Sequence, residues 1–277
     1  MSEGEIFVMV ASIVAAGYMG ARWLVSPMTL TTYSGFSLSR LLLPLAFPAC
    51  VAGIFVVLKT SASYDVREAP EYLTMYTVLG AAWVLGSAYA MELVGISYRH
   101  DALERANPAA AVVVACALIS HGLIYAGANI GDGPGWWCVF AAGGLGSGAW
   151  FLLWLAIEKS CSASELITVD RDVGAAIRFA GFMLATGLLC GRGSAGDWTA
   201  LWQTIVEFHV AWPAVGIAAV AVAVERYFSR QPINMSASLR IGVSTLTALG
   251  YLAVAIVALS HSPPLPQNPQ YDVFQYE

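Results

Sequence analysis

Charge is what this chain has least of. Only 11% of its 277 residues are charged, against roughly 25% in an ordinary soluble domain. That leaves too little polar surface to cover a water-soluble globule of this length. Lysine is nearly missing: Lys59 and Lys159 are the two examples, both at the edges of apolar runs. A retinal Schiff base therefore has no amine in the middle of a helix. No polybasic segment exists to attract nucleic acid or anionic lipid, and the net charge is −5. The five cysteines (Cys50, Cys116, Cys138, Cys161, Cys190) have no CxxC or zinc-like spacing, which argues against a disulfide framework. HExxH, Walker and nucleophile-elbow motifs are missing as well, so no enzymatic activity is expected. Met1-Ser2-Glu3-Gly4-Glu5 lacks the basic start of a signal peptide, and the first apolar run is expected to be retained.

What the chain does have is apolar length. Hydrophobic residues make up 58% of it, and the mean hydropathy is +0.68. Eight runs are long enough for a bilayer span, at about 6–25, 40–58, 71–94, 108–129, 136–157, 173–191, 201–224 and 237–260. Apolar residues run continuously instead of alternating, which excludes a β-barrel. The expectation is an all-α, eight-span membrane protein made of hairpin units 6–58, 71–129, 136–191 and 201–260, with residues 262–277 as an extended outer tail.

Arginine and lysine set the expected orientation. Nine of them (Arg22, Arg40, Arg99, Arg105, Lys159, Arg171, Arg226, Arg230, Arg240) flank the loops after spans one, three, five and seven. Lys59, Arg67 and Arg192 lie on the opposite side. The bias puts both termini outside the cytoplasm, with Trp136-Trp137 and Trp198/Trp202 at the outer interface.

A displacement of 65 residues overlays the fourth span on the sixth. Asn107 meets Asp172, Ala110-Ala111 meets Ala175-Ala176, Gly122-Leu123 meets Gly187-Leu188, and Gly131-Asp132 meets Gly196-Asp197. Asn107 and Asp172 read as helix N-caps. Small-residue pairs (Gly127/Gly131, Gly144/Gly148, Gly187/Gly191) suit close helix approach. Glu92 and Glu158 end the preceding helices, and a weaker copy runs from Glu225 through Asn234 and Ala237. Units of two spans enter the membrane in one orientation, so parallel repeats are expected.

Glu104-Arg105-Ala106-Asn107-Pro108-Ala109-Ala110-Ala111 and Asp170-Arg171-Asp172-Val173-Gly174-Ala175-Ala176 carry a resemblance over about residues 72–197. The chain there resembles the DUF350 (UPF0719) family. That resemblance implies a small bacterial inner-membrane protein of paired-hairpin design, and it implies no particular activity.

Polar groups inside spans are the candidate functional residues. His121, Tyr125 and Asn129 lie at i, i+4 and i+8 along one face of the fourth span, and Gln203 and Glu207 at i, i+4 on the seventh. His209 turns about 200° away from Glu207. Glu92 and Arg178 lie towards the same ends of adjacent units and read as an ion pair. Glu158 and Glu225 read as solvated beside Lys159 and Arg226. His121 and His209 sit at one expected depth on antiparallel helices, where they could ligate a b-type haem or a metal, or relay a proton. Structural hydrogen bonding is the plainer reading, and no cofactor is expected. His100 and His261 sit in or beside loops and offer no second pair. Gly131-Asp132-Gly133-Pro134-Gly135 lacks the strand and Lys-Ser/Thr of a phosphate loop and reads as a tight turn, although Asp132 and Asp197 could form an outer cation-attracting pair if the repeats sit side by side.

Three functions fit these features. The first is a small-solute or ion channel or transporter lined by His121, Arg178 and Glu207. The second is a scaffold or accessory subunit of a larger membrane complex, and the third a bis-His haem electron carrier. Expected partners are the bilayer, further copies of the chain or other membrane subunits.

Overall fold

The computed structural model describes residues 1–29, 38–230 and 236–265. Its long helices are α1 (Glu3–Thr29), α2 (Leu38–Ser61), α4 (Pro70–Ala90), α5 (Pro108–Ala128), α6 (Trp136–Cys161), α8 (Val173–Ser194), α10 (Pro213–Arg230) and α11 (Ala237–Ser260). Short helices α3 (Tyr64–Glu68), α7 (Ala163–Thr168) and α9 (Leu201–Glu207) lie between them. Among the described residues, seven helices are long and apolar enough to cross a membrane. The seventh expected span is broken: Leu201–Ala211 and Pro213–Ser229 meet at 44°. Pro213 opens the second segment, where it has no backbone hydrogen to donate. The expected tail falls mostly at 266–277, outside the described residues.

The helices α2, α5, α8 and α11 form a row, each packed along the next. Small residues permit the contact. A Cβ at Gly127 would overlap the carbonyl of Gly191, and one at Gly181 would lie 2.5 Å from Ala248 Cα. Backbones this close gain dispersion contacts along their whole length. Hence α5 and α8 are the two most buried spans, each 78% enclosed, whereas α1, α2 and α11 are 17–22% enclosed. Large apolar side chains on those outer helices, such as Phe7, Leu45 and Leu246, are exposed.

Local geometry recurs at the starts of α5 and α8. Ala106 and Arg171 both adopt left-handed backbone, at φ 47° and 53°. The backbone N–H of Arg105 donates to His100 O (3.1 Å), and that of Asp170 to Glu165 O (3.1 Å). Asn107 Oδ1 accepts from the N–H groups of Ala109 and Ala110, while Asp172 Oδ1 accepts from that of Ala175. Both caps satisfy donors a helix start leaves open. Asn107 also donates to Ile167 O at 2.7 Å, and Asp172 pairs with Arg240. Part of the third sequence copy, 231–235, lies outside the described residues.

The acidic residues at these ends do not behave as the sequence suggested. Glu92 accepts from Ser97 Oγ at 2.8 Å and is not the partner of Arg178. Glu158 is held by the Ser164 N–H and hydroxyl at 2.7 and 2.6 Å instead of pointing into solvent. Glu225 is buried, at 3% exposure, and binds Arg178. Glu92 is exposed and Glu158 half-buried, whereas the buried Glu225 has a protein donor in place of water, as a buried carboxylate requires.

Helix α1 packs on α4 and α2, and near its end it is fastened through Trp23. Trp23 is fully buried, donates to Leu43 O (2.9 Å), and stacks on Tyr98 at 3.8 Å between ring centroids. The Tyr98 hydroxyl donates back to Trp23 O.

Candidate functional site

Two ends of the bundle differ in chemistry. One carries Arg99, Arg105 and Arg171 in its connections and Arg226 and Arg240 near helix ends; the other carries Asp65, Asp132 and Asp197 beside Lys59, Arg67 and Arg192. At the acidic end the turn after α5 lies against the turn after α8. Gly196 N–H donates to Ile130 O (3.0 Å), Trp198 N–H to Asp132 O (2.7 Å), and Asp132 N–H to Asp197 Oδ1 (2.8 Å). Gly131 has φ +119°, and a Cβ there would overlap the Gly196 carbonyl. Only glycine meets both demands. The expected tight turn is present, and a third connection joins it through an isolated bridge between Ala62 and Gly131.

These turns enclose a cavity of about 50 Å3, room for a few waters or a small ion. Its polar lining includes Asn129, Asp132, Ser194, Thr204 and Glu207. Asn129 is 7% exposed. Its Nδ2 donates to Tyr125 O at 2.7 Å. Glu207 reaches the cavity from α9, where Gln203 Nε2 donates to its Oε1 at 3.2 Å. Glu207, Asp132 and Asn129 thus line one small space, and no lysine or arginine lines it.

The other expected site residues are placed elsewhere. Tyr125 is fully buried and donates to Tyr76 O (2.7 Å), its ring against Gly80. His121 is fully buried; its Nδ1 bonds Ala117 O at 2.9 Å, and Trp150 and Phe151 pack 4.7 and 5.0 Å from its ring. The face His121–Tyr125–Asn129 is therefore split among three environments, and of the three Asn129 lines the cavity. His209 is exposed and bonds Val206 O. No ring contact or shared cavity joins His121 to His209 among the described residues. No group of three or more His, Cys, Asp or Glu side chains there is placed to hold a metal.

Arg178 is 2% exposed and bound by three groups. Its Nε and Nη2 donate to Glu225 Oε1 and Oε2 at 2.5 and 2.6 Å, and its Nη1 to Ser244 Oγ at 2.8 Å. The Phe228 ring lies 4.1 Å from its guanidinium carbon. Arg178 thereby joins α8 to α10 and α11 instead of lining an open path.

The family model described as Domain of Unknown Function (DUF350) matches residues 41–193, more than half of the chain. The match begins earlier than the resemblance at 72–197 and takes in nearly all of α2, the helix packed on α5. No curated protein and no solved structure matches the chain.

Proposed function

The chain belongs to the DUF350 family, whose description assigns no activity, and we propose from its own geometry that it is a multi-pass membrane protein admitting a small cation or cationic solute at its acidic end. The observation that carries this reading is that Asn129, Asp132 and Glu207 line one small, partly open cavity. Carboxylate and amide oxygens are the ligands hard cations take. A turn of fixed backbone holds Asp132, while the bent α9–α10 segment carries Glu207. Movement at that bend would open or close the cavity mouth. In this reading the hairpins are parallel repeats, the membrane is a bacterial inner membrane, and the acidic end and both termini face outward, following the arginine bias.

Cation-flux measurements in liposomes test the proposal, with a fluorescent indicator trapped inside. Glu207→Gln is expected to abolish most flux while the purified protein stays monodisperse. Equal flux in the variant, or none in the wild type with sodium, potassium, magnesium or calcium, would overturn it. One observation favours the scaffold reading: Tyr125, Ser120 and Arg178 are each satisfied inside the protein. Under that reading membrane partners co-purify equally with the Glu207→Gln variant.

A further inference from the structure

Two histidines border one open cleft where the sequence offered no pair. His209 lies in the short turn Phe208–Ala211 at the break before α10, and His261 caps the end of α11. Both line one cavity of about 280 Å3, together with Trp212, Pro213, Ser262 and Pro263. Each ring is oriented through its Nδ1. His209 Nδ1 is 2.7 Å from Val206 O, and His261 Nδ1 is 2.8 Å from Val257 O. A carbonyl oxygen accepts and never donates, so Nδ1 carries the hydrogen in both rings. In the neutral rings Nε2 then bears the lone pair. This is the outer-shell arrangement that orients imidazoles towards a metal.

We propose that His209 and His261 form a two-histidine site for a borderline divalent metal ion such as Zn2+, with water completing its coordination. Imidazole nitrogen suits zinc, copper and nickel over magnesium and calcium. The carbonyl end of α11 adds a partial negative charge beside His261. Opposing it, Arg192 donates to the carbonyls of Pro263 and Pro264 at 2.7 and 3.5 Å, placing a positive charge on this edge. With two protein ligands and that neighbour, the affinity expected is micromolar, well short of a structural zinc site. Bound metal would tie the α9–α10 break to the end of α11, two residues from Glu207. This site stands on its own residues and does not depend on the cation-admitting reading.

The test is titration of Zn2+ alone into full-length, detergent-purified protein free of any histidine tag, followed by calorimetry. One equivalent per chain is expected. His209→Gln and His261→Gln should each weaken binding at least tenfold, while His100→Gln at the opposite end leaves it unchanged. Circular dichroism of the same samples separates lost ligands from lost folding. Cu2+ electron paramagnetic resonance gives a second reading, with coupling to two nitrogens in the wild type and one in each variant. No stoichiometric binding, or equal binding after both replacements, would overturn the proposal.

Discussion

Glu225 takes two hydrogens of Arg178 at once, from Nε and Nη2, with both side chains 2% exposed. Removing either partner leaves a charge buried without its counterion. Glu225→Gln or Arg178→Met is expected to cost about 3–5 kcal/mol, and joint replacement by apolar residues much less. Unfolding by sodium dodecyl sulfate, followed by tryptophan fluorescence, would show this non-additivity.

Gly127 and Gly144 make a matched pair of opposite sensitivity. A methyl at Gly127 runs into the Gly191 carbonyl, while one at Gly144 meets nothing within 4 Å. Gly127→Ala is expected to destabilise by about 1–3 kcal/mol through forced separation of α5 and α8. Gly144→Ala should stay within about 0.5 kcal/mol of wild type. Thermal aggregation midpoints of the two variants in one detergent compare them directly.

Asn107 both caps α5 and donates to Ile167 O. Its replacement by alanine should cost about 1–2 kcal/mol, and hydrogen exchange should quicken first at the Ala109 and Ala110 amides. A uniform rise in exchange along α5 would contradict a local capping role.

In the connection before α5, hydrogen bonds from Arg99 and His100 hold the Glu104 carboxyl below its usual range. A depressed carboxylate pKa adds stability that is present above the unfolded value and lost as pH falls through the folded one. Exposure keeps the effect small. Hydrogen exchange of residues 98–104 should therefore rise on acidification below the ordinary carboxylate range. In Glu104→Gln that pH dependence should largely vanish.

The helices and two of their caps were legible because apolar run length and Asn/Asp placement are local properties, and Asn107 and Asp172 cap as expected. Partnership was not. Glu225 and Arg226 are adjacent, about 100° apart on a helix, and only the packing of α10 on α8 decides which of them turns inward. The pairing of Glu92 with Arg178 failed for the same reason: similar depth does not make neighbours. At the candidate site, Asn129, Gln203 and Glu207 were singled out from intramembrane polarity, yet the cavity depends on Asp132 and on contact between two turns. His209 and His261 were missed as a pair because the seventh span was read as one straight helix. Its break at Phe208–Trp212 changes where His209 stands.

Trp23 has an implication for how the chain is made. Its stacking partner and carbonyl-bound hydroxyl both belong to Tyr98, 75 residues later. Ribosomes add roughly 5–20 residues per second, so α1 leaves the translation machinery on the order of 4–15 s before that partner exists. During the interval α1 has α2 and α4 to pack on and Leu43 O to accept the Trp23 indole hydrogen, but the ring face that Tyr98 covers has no partner. Closure of the Trp23–Tyr98 stack is thus a late event in biogenesis, and truncating the nascent chain before Tyr98 should leave Trp23 open to crosslinking by lipid-soluble reagents.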